Sequence, residues 1–146
     1  QLSRGLGDVY KRQHLSVSGA ARWAEKVADG RQPAAIKFVE RIWDIHESSG
    51  VKLCIENPVG ALSTRSKLGP PTQYVQPYQF GHPEQKKTGL WLRGLPKLEP
   101  TDVIDVSGLP ERERMRLHYL PPSKDRWKIR STTYQGIADA MASQWG

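Results

Sequence analysis

The chain has 146 residues, with 22 Lys and Arg against 15 Asp and Glu and a formal net charge of +7. Its length suits one modest hydrophobic core. The single cysteine, Cys54, excludes an intrachain disulfide and a cysteine-cluster zinc site, and no apolar run approaches the ~20 residues of a membrane-spanning helix.

A basic excess favours polyanionic partners such as nucleic acid. No charged-then-apolar secretory signal is visible, so the expectation is a soluble, cytoplasmic protein that does not engage a membrane. No metal-ligating residue is assigned.

The stretch "SRGLGDVYKRQ" (3–13) matches, residue for residue, the translation of a transposon adapter used in short-read sequencing libraries. Residues 1–13 are therefore expected to be a non-native segment, with the natural sequence beginning near His14 in mid-gene. Setting aside its three basic residues, Arg4, Lys11 and Arg12, and its one acid, Asp8, leaves a net charge of +5.

In chain order, Ala20, Trp23, Ala24 and Val27 recur at helical spacing, and Asp29-Gly30 ends that segment. A second helix is predicted over "PAAIKFVERIWDIHESSG". Pro33 suits its first turn, Gly50 ends it, and Ala35, Phe38, Val39, Ile42, Trp43 and His46 form one stripe. His46 reads as a satisfied, partly buried histidine rather than a ligand.

"VKLCI" follows directly as a buried strand, giving an α/β unit. From Gly60 to Pro83 the sequence turns to Pro, Gly, Ser, Thr and Gln, which predicts loops around one short strand, "QYVQP". Residues 88–93 of "TGLWLRGLP" are a further strand, ended by Gly94. The stretch from Pro96 to Lys128 lacks periodicity over most of its length and reads as a surface insertion. Ser131, Thr132 or Thr133 can cap a last helix whose apolar face is Ile137, Ala140, Met141 and Trp145.

The strand "VKLCI" runs into Glu56-Asn57-Pro58. In an open α/β sheet, ligands bind beyond the carboxyl ends of the strands, and a residue before proline is steered out of the helical region. Glu56, placed first after the strand, could exchange one proton or grip a flat polar edge with both oxygens. The alternative is a strand-ending Asn-Pro turn with an exposed glutamate.

Four segments carry a resemblance. "LCIENPVG", "YQFGHPEQKKTGLWL", "STTYQGIADAMASQWG" and "LSVSG" with the tryptophan-bearing helix after it resemble, in order and spacing, segments of the DNA cytosine-5 methyltransferases. The likeness is closest to small phage-type members and covers about the C-terminal two thirds of one. It implies a truncated, S-adenosylmethionine-dependent methyltransferase fold, Rossmann-like with a mostly parallel sheet, in which 14–146 is a partial catalytic domain.

It also implies the chemistry. A cysteine thiolate adds to C6 of a flipped-out cytosine, and C5 then takes a methyl group from S-adenosylmethionine. Glu56 would be the acid that engages N3, with Asn57 and Pro58 supporting its loop. Burial beside the base would help Glu56 keep its proton.

The resemblance also marks what is missing. The cysteine loop would precede "HLSVSG", where the adapter-like segment stands, and the glycine-rich cofactor loop of the N-terminal half is absent. Cys54, within a strand, is an inert packing residue rather than a substitute nucleophile. The expectation is a fragment of a methyltransferase, itself inactive and poorly stable alone. Its full-length parent would be a monomer with short or relaxed DNA specificity, or one guided by a helper protein.

Gln85, Lys86 and Lys87 follow the "FGHPE" turn, where the family commonly shows arginines; they contact phosphates or form a solvated hairpin end. Lys124, Arg126, Lys128 and Arg130 surround Trp127, a pattern that suits phosphates and base stacking, or else Trp127 is core with the charges outward. His82 is a turn residue, and Ser16 and Ser18 either line the lost cysteine loop or cap the next helix. The alternative function is a non-catalytic nucleic-acid-binding protein that has lost the chemistry; a third is an enzyme acting on a different base or nucleotide.

Overall fold

A computed structural model describes residues 31–58 and 60–146. The helix expected over 20–27, and Ser16 and Ser18, lie outside the described residues. The elements in order are α1 (Arg31–Ser49), β1 (Leu53–Pro58), α2 (Leu62–Arg65), β2 (Gln73–Val75), a 3-10 turn (Pro77–Gln79), β3 (Thr88–Arg93), α3 (Glu111–Arg114), α4 (Arg126–Ser131) and α5 (Gln135–Trp145). No helix among the described residues is long and apolar enough to cross a membrane.

The expected parallel, Rossmann-like sheet is not what forms. The three strands make one small antiparallel sheet in the order β1-β3-β2. β1 runs against β3 from Leu53↔Arg93 to Pro58↔Thr88. A parallel pair needs a strand–helix–strand crossover. Among the described residues α1 supplies only the helix–strand half of one, and the neighbour that β1 finds is the returning strand β3.

The described residues divide into two compact units: 31–58, 60–74 and Thr88–Leu95 form the first, and Val75–Lys87 with Pro96–Gly146 the second. In the first unit α1 presents Ala35, Ile36 and Val39 to Leu62 of α2 and Trp91 of β3, with Phe38, Trp43, Ile55 and Leu68 partly buried around them. Ala35 and Val39 of the predicted stripe are buried and Phe38 and Trp43 partly so, while Ile36, outside that stripe, is buried as well.

α1 ends where a residue without Cβ is needed: Gly50 has φ of 69° and donates its N–H to His46 O at 2.8 Å. His46 bonds through Nδ1 to the Val51 carbonyl at 2.8 Å, the satisfied role expected of it. Trp91, 2% exposed, donates Nε1–H to Gly69 O at 2.9 Å, so its one polar atom is matched inside the core. β3 is buried along Thr88–Leu92, as befits a strand paired on both edges.

In the second unit the chain segment Thr101–Ile104 runs beside Tyr78–Gly81. Ile104 N–H bonds Tyr78 O at 2.8 Å, and Gly81 N–H bonds Asp102 O at 2.8 Å. The stretch expected to be a surface insertion is thus tethered, with Leu98, Val106 and Leu117 buried as anchors among mostly exposed neighbours. α5 buries Ile137, Ala140 and Met141.

α5 begins later than the expected caps, after Tyr134 and without a side-chain cap. Ser131 Oγ and Thr132 Oγ1 are spent instead on the carbonyls of Trp127 and Lys128, at 2.7 and 2.8 Å, where they close α4.

Since Trp91 joins the helix and sheet of the first unit, Trp91→Ala should cost about 3–5 kcal/mol in a urea-unfolding experiment followed by circular dichroism. A cost below about 1 kcal/mol would place the centre of that core elsewhere.

Candidate functional site

β1 is longer at its carboxyl end than "VKLCI" suggests. Glu56, Asn57 and Pro58 are not beyond the strand but inside the ladder, opposite Leu90, Gly89 and Thr88. Proline is tolerated there because β1 is an edge strand of the described sheet. The consequence is a backbone held by pairing with β3 rather than a free loop.

Strand alternation sorts the side chains. Leu53, Ile55 and Asn57 share one face; Leu53 and Asn57 are buried, and Ile55 packs against the core cluster. Cys54 and Glu56 share the other face, both half-buried. Glu56 therefore has the partial exposure that a ligand-facing carboxylate requires.

Asn57 is the anomaly. It is 2% exposed and donates from Nδ2 to Pro58 O at 2.9 Å, which pins the strand end. Its Oδ1 is buried without a hydrogen-bond partner. Such an orphan costs about 1–3 kcal/mol, so hydrophobic fit alone does not explain an asparagine there.

The remaining candidates all lie in the second unit. Lys86 and Arg130 are brought together: Lys86 Nζ donates to Arg130 O at 2.6 Å and stands 5.9 Å from the Tyr134 ring centroid. Lys86 therefore closes the carbonyl end of α4, a favourable place for a cation. Gln85 N–H is likewise used, bonding Arg114 O at 2.5 Å. Lys87 remains on the surface.

Along α4, Arg126 donates Nε–H to Leu120 O at 2.9 Å. Burial first, and then the charge of Arg126, push the Arg130 guanidinium below its usual value. Lys124 and Lys128 are exposed, and so is Trp127, at 41%. The reading of Trp127 as core with the charges outward is thereby corrected; the arginines turn partly inward and the tryptophan turns out.

Sequence reasoning missed one cluster. Glu84 accepts from Arg116 Nε at 2.8 Å and from the Tyr134 hydroxyl. His82 accepts Gly136 N–H on Nε2 at 2.9 Å and meets the Tyr134 ring edge-on at 5.1 Å. A Cβ on Gly136 would clash with the Phe80 carbonyl oxygen and stand 2.9 Å from His82 Nε2, so only glycine permits this approach. The partners lie 32 to 54 residues apart in sequence, and no local spacing signals the contact. The cluster fixes the "FGHPE" turn to the start of α5.

Among the described residues no group of three or more His, Cys, Asp or Glu side chains could hold a metal ion. Nor does any glycine-rich turn there open a helix in the way that would cradle S-adenosylmethionine. The chain matches no family model, no curated protein and no solved structure.

Burial, and then the hydrogen bond to Glu84, raise the Tyr134 phenol well above the ordinary tyrosine value. The unfolded chain then loses that proton first. The stabilising contribution of Tyr134 is complete below about pH 10 and is lost as pH climbs from there through the folded-state value. In an alkaline absorbance titration the last tyrosine to ionise should vanish in Tyr134→Phe; its persistence would exclude the Tyr134–Glu84 bond.

Proposed function

We propose that this chain is part of a DNA (cytosine-5) methyltransferase, in which Glu56 holds the Watson–Crick edge of the target cytosine. The observation that carries the reading is the placement of Glu56: a half-buried carboxylate at the carboxyl end of β1, on backbone fixed against Leu90. Rigid support of this kind favours accurate positioning of a proton.

A protonated carboxyl group can donate to cytosine N3 and accept from the exocyclic N4 amine with its second oxygen. That grip makes the ring more susceptible to nucleophilic addition. Pro58 ends the ladder beyond it, and Asn57 Nδ2 holds the Pro58 carbonyl.

S-adenosylmethionine supplies the methyl group in that family. The described residues do not fit it, so its binding is assigned no residue in this chain. Cys54 belongs to the same strand and is not assigned the nucleophile's role.

The test begins with recovering the coding sequence upstream of the His14 codon and expressing the extended protein. Transfer of a tritiated methyl group to a cytosine-containing duplex is then measured. Glu56→Gln keeps the shape but removes the exchangeable proton, and should lower the rate by about 10²–10⁴-fold. An unchanged rate, or an upstream sequence without a cysteine-bearing loop, removes the methyltransferase reading.

A second reading, a nucleic-acid-binding protein without catalysis, is favoured by the exposed Trp127 and its exposed lysine neighbours, Lys124 and Lys128.

A further inference from the structure

α4 is amphipathic in the wrong sense for a helix that packs on its own unit. Trp127 and Ile129 are 41% and 42% exposed, whereas Arg126 and Arg130 are partly buried. Hydrophobic burial would normally select the reverse arrangement. An aromatic side chain held outward is thereby available to a partner.

The surrounding charge defines that partner's chemistry. Lys124 and Lys128 are exposed, and among the described residues neither ammonium group has a hydrogen bond or an ion pair. Among the described residues Arg126 and Arg130 form no ion pair with a carboxylate either; Arg126 is bound to the Leu120 carbonyl, and Arg130 feels the like charge of Arg126. Asp125, before the first turn, is the one acid in this stretch, against four bases.

The Trp127 ring carries no stacked cation among the described residues, unlike Trp43 of the first unit, over which Arg93 lies at 4.7 Å. At 41% exposure the side chain offers part of its ring to a flat, neutral group. A polymer that offers phosphates and unstacked aromatic rings at short intervals meets both demands.

We infer that α4 is a docking element for single-stranded nucleic acid, on whose Trp127 one unpaired base stacks while Lys124 and Lys128 neutralise the flanking phosphates. Arg126 is a positioning residue, its Nε–H fixing α4 to the Leu120 carbonyl. This rests on the nucleic-acid partner of the proposed function but not on methyl transfer, because binding is read without any reaction.

The test uses the full chain and three fluorescent probes: a twelve-nucleotide oligothymidine, the corresponding oligothymidine–oligoadenosine duplex, and a polyglutamate peptide of equal charge. Anisotropy titrations at several salt concentrations give affinity and salt slope. Trp127→Ala should weaken oligothymidine binding about 5- to 100-fold, and Trp127→Phe should restore most of it. The Lys124→Gln, Lys128→Gln pair should make the plot of log affinity against log salt shallower by about 1.4, or about 0.7 for each phosphate contact.

All these side chains are exposed, so the melting temperature should be unchanged and loss of binding will not be loss of fold. No binding to oligothymidine, binding indifferent to Trp127, or equal Trp127-dependent binding of the polyglutamate overturns the inference. If Glu56→Gln leaves methyl transfer intact while Trp127→Ala still weakens the single strand, the methyltransferase reading fails and the docking element stands.

Discussion

The pairing of β1 with β3 is the constraint on which the first unit turns. It runs without interruption from Leu53↔Arg93 to Pro58↔Thr88, and it settles both the shape of the core and the direction of Glu56. A slip of one residue would exchange the faces of the strand, sending Leu53 and Asn57 outward and Glu56 toward Ile36 and Val39. Burying an unpaired carboxylate there would cost far more than the exposure of one leucine. The register is thus protected by the side chain that carries the proposed chemistry.

Pairing also explains how a polar sequence can lie at the edge of an apolar core. Gly89 faces Asn57 across the ladder, and a Cβ at Gly89 would stand 3.0 Å from the Trp91 ring and 3.1 Å from Pro71. The tryptophan that closes the core and the asparagine that anchors the strand end are thereby held close in one strand pair. Asn57 contributes a bond to Pro58 and leaves Oδ1 unmatched, a local cost that the surrounding burial of Leu62, Leu90 and Trp91 offsets.

The helical spacing of apolar residues made α1 and the apolar face of α5 legible, and short apolar runs bounded by Gly and Pro did the same for β2 and β3. Gly50 and Gly94 marked the ends of α1 and β3 correctly for a different reason: each holds a positive φ, 69° and 70°, that glycine adopts without cost. The sheet's direction was not legible: nothing within "VKLCI" distinguishes a parallel neighbour from an antiparallel one. The end of β1 was misplaced because Glu-Asn-Pro has poor strand propensity, and pairing with β3 overrides it. The N-cap of α5 failed through competition, since Ser131 and Thr132 reach back to α4 instead of forward. Glu56 was singled out from its place after an apolar run; the contact of Glu84, His82 and Tyr134 was not legible, because it joins segments far apart in the chain.

Basic residues in the second unit show why charge counts alone are poor guides to a binding surface. Lys86 is engaged by the Arg130 carbonyl, Arg126 by that of Leu120, and Arg116 by Glu84. Each ties one segment to another, so its removal would disturb the fold before it revealed anything about a ligand. Lys124 and Lys128 carry the same charge at little structural cost, and they flank the one tryptophan of the second unit that is exposed by more than a third. Electrostatic attraction to a polyanion is long-ranged and tolerant of sequence, whereas a stacking ring acts only at contact. On the inference drawn for α4, exposed lysines beside an outward tryptophan would capture a strand first and hold one of its bases afterwards.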